Sequence, residues 1–233
     1  EMSGFIFYRG PSQLDGKPIV GIAVYSSHNR KTGGLVQTYI IREDMSPLDA
    51  SKTGEDASVC GDCKHRGIPT DDPKAKQAKK RPCYVTLGQG PMQVYKALMR
   101  GLYKPESPRK IGKDRDVRVG TYGDPSAIPV WVWEELLAEA LGWTGYTHQW
   151  KKYPELIQFC MASVDSMREK QQASGLGWRT FRIAPEGESL GEREIMCPSD
   201  KGVQCQDCML CGGLATKAKS IAIIGHGSGK KYL

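Results

Sequence analysis

Seven of the eight cysteines in this 233-residue chain fall into two groups whose spacing suits metal chemistry. The tighter group is Cys197-Pro198, then Cys205, Cys208 and Cys211, followed by two glycines. Two intervening residues let successive thiolates point at one centre while the loop backbone wraps it. Four thiolates complete either a tetrahedral zinc site or a cubane 4Fe–4S cluster. The Cys-Pro step favours the cluster. His226, fifteen residues after Cys211, favours zinc, because it could replace Cys197 as the fourth ligand. The looser group is Cys60, Cys63 and the more distant Cys83, with His65 as a candidate fourth ligand of a second zinc site. These residues could instead join the C-terminal cysteines around one centre, form a redox pair, or be structural thiols. Cys160 stands alone at the start of an apolar stretch and reads as core. Short spacings without a secretory segment point to ligand thiolates in a reducing compartment rather than disulfides.

A second set of candidates lies where apolar runs end. Asp124 follows Val117–Tyr122 and precedes Pro125, which disfavours helix at Asp124 and places it in a turn. Asp165 follows Cys160–Val164. In parallel α/β folds, reactive side chains gather at the C-terminal ends of strands, so these two carboxylates are candidates for nucleophile and general acid–base work. Their plainer readings are a turn carboxylate for Asp124 and a helix N-cap for Asp165. Tyr146, His148 and Gln149 sit in a donor-rich aromatic segment that could stack and hydrogen-bond a nucleobase, or simply pack as buried aromatics. Gly225–Lys231 could cradle a phosphate with its backbone amides, or form a basic tail, but it lacks the Walker spacing.

The elements that must position these residues follow from periodicity. Residues 18–25 and 35–41 read as strands, within a β-rich segment covering residues 2–45. Residues 46–82 read as a cysteine-containing loop whose end, 69–82, carries five basic residues. From residue 83 onward, strands at 84–87, 117–122, 143–148, 160–164, 178–183 and 220–224, and one ending at Met196, alternate with helices at 92–102, 128–141, 154–159 and 166–173. Such alternation predicts a mostly parallel sheet with crossover helices, about eight strands when the one at 18–25 is counted with it. The expected fold is one α/β domain over residues 2–233: a compact or incomplete (β/α) barrel with a β-rich N-terminal segment and cysteine-rich metal loops. An open doubly wound sheet is the alternative.

Composition narrows the setting. A net charge of +7 raises the prior for a polyanionic partner such as DNA or RNA. No apolar run is long enough to span a bilayer, so no membrane association is expected. The N-terminus has no basic segment followed by a long apolar stretch, so a cytoplasmic location is expected (that of the host if the gene is carried by a phage). Translation is expected to begin at Met2. The sequence has no HExxH, GxSxG or GxGxxG motif, no zinc-deaminase signature and no CxxxCxxC.

The order of these features resembles small phage-encoded relatives of the guanine transglycosylases. Asp165 precedes Cys205 by forty residues, and Cys205, Cys208, Cys211 and His226 follow as three cysteines and a histidine. The cysteine spacing departs from that family's CxCxxC, and Cys197 and the Cys60 group have no counterpart in it. The resemblance implies a (β/α) barrel, a structural zinc, and base exchange in DNA, double- or single-stranded. Asp165 would attack the deoxyribose C1′, guanine would leave, and a 7-deazaguanine-type base would resolve the intermediate. It also implies Asp124 as general base or base-recognising carboxylate. Two other classes remain open: a non-catalytic, metal-stapled nucleic-acid-binding protein, and an iron–sulfur enzyme.

Overall fold

The structure is a computed structural model and describes residues 4–25, 34–225 and 230–232. His226 lies outside the described residues, as does most of the glycine-rich segment at the C-terminus.

The chain opens with an antiparallel meander of β1 (Gly4–Pro11), β2 (Pro18–Val24) and β3 (Val36–Arg42). Helices α1 (Pro47–Thr53), α2 (Ala57–Cys60) and α3 (Gly90–Met99) follow, then the short β4 (Lys104–Pro105) and α4 (Pro108–Gly112). Next come β5 (Asp116–Tyr122), α5 (Val130–Leu137), β6 (Gly142–Thr147), β7 (Met161–Val164), α6 (Met167–Gly175) and β8 (Thr180–Ala184). The chain finishes with β9 (Glu194–Met196), α7 (Cys205–Cys208) and β10 (Ser220–Ile224).

All ten strands form one mixed α/β sheet in the order β4-β1-β2-β3-β5-β6-β7-β8-β10-β9. Every ladder from β3 to β9 is parallel, as is β1 with β4. Among the described residues no ladder joins β4 to β9, so the sheet keeps two edges. The expected alternation is present where it was clearest, in β5–α5–β6 and β7–α6–β8. The main core buries Val117, Val119, Trp133, Leu136 and Cys160 together. Gly112 marks a close approach there, since a Cβ on it would stand 1.8 Å from the Leu136 carbonyl oxygen.

Four local expectations are corrected. The stretch 84–87 is not a strand. Arg81 Nη1 donates to the Val85 carbonyl at 2.6 Å, and Cys83 N donates to the His65 carbonyl at 3.2 Å, so this backbone is tied down without a ladder. Residues 46–82 are not all loop. Ser46 caps α1 by accepting from Asp49 N at 3.1 Å, and Gly54 ends it in the left-handed conformation. The cap of α6 is Ser166, whose hydroxyl accepts from Glu169 N, so Asp165 is free of that task. Among the described residues the strands number ten, not about eight, because β1 and the two-residue β4 carry little periodic signal.

Candidate functional site

Three side chains from distant parts of the chain converge beyond the C-terminal ends of β6 and β7. His65 lies in the turn Lys64–Arg66, His148 follows β6, and Asp165 follows β7. His65 Nε2 and Asp165 Oδ1 are 2.7 Å apart, and the two imidazole rings lie 5.4 Å apart. One potential ligand atom from each of the three residues lies within 4.8 Å of the others. Ser163, on the same face of β7, places its hydroxyl 3.1 Å from His148 Nε2.

Each member is braced. The His65 turn is pinned by Arg66, which donates to Asp56 at 2.9 and 2.7 Å and to the carbonyls of Gly61 and Gly54. Cys63 Sγ accepts from His65 N at 3.4 Å. Asp165 N donates to Glu169 Oε2 at 2.9 Å, and Lys64 Nζ holds the other Glu169 oxygen at 2.9 Å. His148 is positioned by Asp124, whose Oδ2 accepts from His148 N at 2.8 Å. Oδ1 of Asp124 accepts from Thr147 Oγ1, Ser126 N and Ser126 Oγ. With four donors around a carboxylate only 6% exposed, the structure gives Asp124 a bracing part.

Burial and neighbouring charges shift His148 and Asp165. Burial holds His148 below its ordinary value, which favours the neutral imidazole. Burial pushes Asp165 up, but the His65 hydrogen bond and the charges of His65, His148 and Lys64 outweigh it and leave the carboxyl below the usual range. Both shifts have the same sign for stability. The folded protein holds these protons less tightly than the unfolded chain does. The contribution of His148 is therefore complete above its unfolded value of 6.5 and is lost as pH falls through its lower folded value. That of Asp165 is complete above 3.8 and is lost below its own lowered value. Thermal melts are expected to fall as pH drops below 6.5, and His148→Gln should flatten the upper part of that fall. A melting temperature that rises on acidification through this window would contradict the assignment.

The cysteines form two further clusters. Cys60, Cys63 and Cys83 are close enough to feel one another's charge, and burial pushes the first two thiols up. Cys197, Cys205, Cys208 and Cys211 wall one small cavity together with Thr144 and Tyr146. No three sulfurs of either group lie within 4.8 Å of one another.

No known protein family, curated protein or solved structure matches this chain. Side-chain geometry alone therefore carries the functional reading.

Of the residues singled out in the sequence, Asp165 and His148 meet. Tyr146 does not join them as a wall: it lies in the cysteine cavity, its ring 4.5 Å from that of Phe181 and 4.4 Å from the Arg118 guanidinium carbon. Gln149 is buried, its amide 3.5 Å from the Cys60 carbonyl. His65, weighed as a zinc partner of the first cysteines, faces Asp165. Ser163 and Glu169 were not singled out. The signal for Ser163 was its place two residues before Asp165 on one strand face, where alternate side chains share a side.

Proposed function

We propose that this chain is a metal-dependent enzyme in which His65, His148 and Asp165 hold one divalent ion at the C-terminal edge of the parallel sheet. The observation that carries this reading is the convergence of two imidazole nitrogens and one carboxylate oxygen within 4.8 Å. Two histidines and a carboxylate are the donor set of non-haem Fe(II) and of many catalytic Zn(II) sites, which leave positions open for water or substrate. His148 and Asp165 fit in protonation as well as in type, since a ligating imidazole must be neutral and a ligating carboxylate ionised. A bound ion would supply Lewis acidity or activate a water. The chain's own residues do the rest. Asp124 fixes the His148 backbone, Glu169 and Lys64 fix the entry to α6, and Ser163 offers a hydroxyl beside His148. The net charge of +7 suits a polyanionic substrate, with DNA the leading candidate. We read the sheet as an incomplete (β/α) barrel, with both the His/Asp cluster and the C-terminal cysteines on its inner face.

A second reading, base exchange in DNA with Asp165 as nucleophile and a 7-deazaguanine-type base as incoming group, is favoured by one observation. Asp165 is held ionised, its side chain is 23% exposed, and Oδ2 has no hydrogen-bond partner among the described residues.

Cobalt titration of metal-free protein tests the first reading. A weak d–d spectrum without thiolate charge transfer should appear in the wild type beside any thiolate-bound cobalt and be absent in His65→Ala. If all bound cobalt shows thiolate bands, the His/Asp ion site is wrong. A DNA–protein adduct that resists chelators and needs Asp165 but neither histidine would instead establish the nucleophile reading.

A further inference from the structure

Arg118 is 7% exposed, lies in the middle of β5, and makes no ion pair with a carboxylate among the described residues. Its Nη1 donates to Thr144 Oγ1 at 3.3 Å and its Nη2 to Tyr84 Oη at 3.1 Å, while Nε is buried without a partner. A buried cation without an anion costs several kcal/mol in general, so a guanidinium in this position calls for a counter-charge. The candidates around it belong to the cysteine cavity. The guanidinium carbon lies 4.4 Å from the ring of Tyr146, which hydrogen-bonds Cys211, and it interacts electrostatically with Cys205 and Cys211.

We infer that Cys197, Cys205, Cys208 and Cys211 together hold one tetrathiolate metal centre of net negative charge, and that Arg118 is its counter-charge. A divalent zinc ion with four thiolates carries two net negative charges, and so does an oxidised 4Fe–4S cluster with four thiolates. Either therefore supplies the anion that Arg118 lacks. The loop that carries them is fixed independently: Arg179 donates to the carbonyls of Leu210, Gly213 and Lys219 at 2.8, 2.8 and 2.7 Å. Cys197 follows directly on β9, and its N donates to the Ala222 carbonyl at 2.7 Å, so the fourth thiol is delivered by the sheet itself. The centre is separate from the His/Asp cluster. Thr144 and Tyr146 face it, and His148, two residues further and about 7 Å along the strand direction, faces the other.

The test uses the full chain purified without oxygen. Metal and sulfide analysis is combined with alkylation of thiols before and after chelator, read by peptide mass spectrometry. Cys197, Cys205, Cys208 and Cys211 are expected to be protected together and released together. About four irons with matching sulfide, or zinc alone, both satisfy the tetrathiolate assignment and tell its two forms apart. Free alkylation of Cys197 while the other three stay protected would overturn it in favour of a set completed elsewhere, as would a metal-free protein with four open thiols. Arg118→Met is expected to weaken metal retention by about 10–100-fold, the usual effect of losing an outer partner of a metal centre, and Arg118→Lys to recover part of it. If Arg118→Met retains metal as the wild type does, Arg118 is not the counter-charge. If that variant does not fold, Arg118→Lys decides the point: retention above that of Arg118→Gln supports the role, and retention equal to it removes it.

Discussion

Asp165→Asn is expected to weaken divalent-ion binding at the His65–His148 cluster by more than about 100-fold, read from the cobalt d–d signal or by calorimetry on protein with its thiols blocked. Removing a group that merely orients a ligand costs about 10–100-fold, and Asp165 would be a ligand itself. The substitution keeps size and shape but removes the charge that offsets a dication, and it leaves His65 Nε2 facing an amide at 2.7 Å. Glu169 cannot replace it, because one of its oxygens is held by Asp165 N and the other by Lys64. Asp165→Glu should recover part of the affinity, whereas Asp124→Asn should act only through the placement of His148. An Asp165→Asn protein with unchanged affinity would remove the carboxylate from the ligand set and leave two histidines, too few for a stable site.

The largest expected loss of stability comes from the ion pair of β8 and β9. Arg182 and Glu194 have fully buried side chains and bond in parallel, Nε to Oε1 at 3.0 Å and Nη2 to Oε2 at 2.8 Å. Glu188 adds a second carboxylate to Arg182, and Gly191 N donates to Glu194 at 2.8 Å. The strand between them, β10, carries the small residues Ser220 and Ala222 in register with Glu194 and Arg182, which leaves room for the pair. Removing one partner strands a buried charge, at a cost of about 3–5 kcal/mol. Arg182→Met, which leaves Glu194 buried without its cation, should therefore lower the urea-unfolding free energy by that amount, and Arg182→Met/Glu194→Leu should recover most of it. A loss below about 1 kcal/mol in the single variant would mean that the charge reaches water. Because Cys197 follows β9 directly, the single variant should also loosen the protection of that thiol.

Much of the fold was legible. The run from β5 to β10 declares a parallel sheet because strands buried on both faces are short apolar stretches and the crossovers between them are helical. The two cysteine groups and the strand-end carboxylates were visible as residue types at telling positions. What the sequence could not express is contact across long separations. His65 meets Asp165 a hundred residues away from a loop that Arg66 ties to Asp56 and Cys83 N ties to the His65 carbonyl. Asp124 and Asp165 look alike as carboxylates after strands. Only the surrounding donors separate them, four around Asp124 against one facing the open carboxylate of Asp165. Arg118 and Arg182 each stand in a strand among apolar neighbours, where period two alone reads as a solvent-facing position. Tertiary packing decides otherwise, covering one with a cysteine loop and pairing the other with a glutamate, because a cation can be buried only where something else supplies its anion.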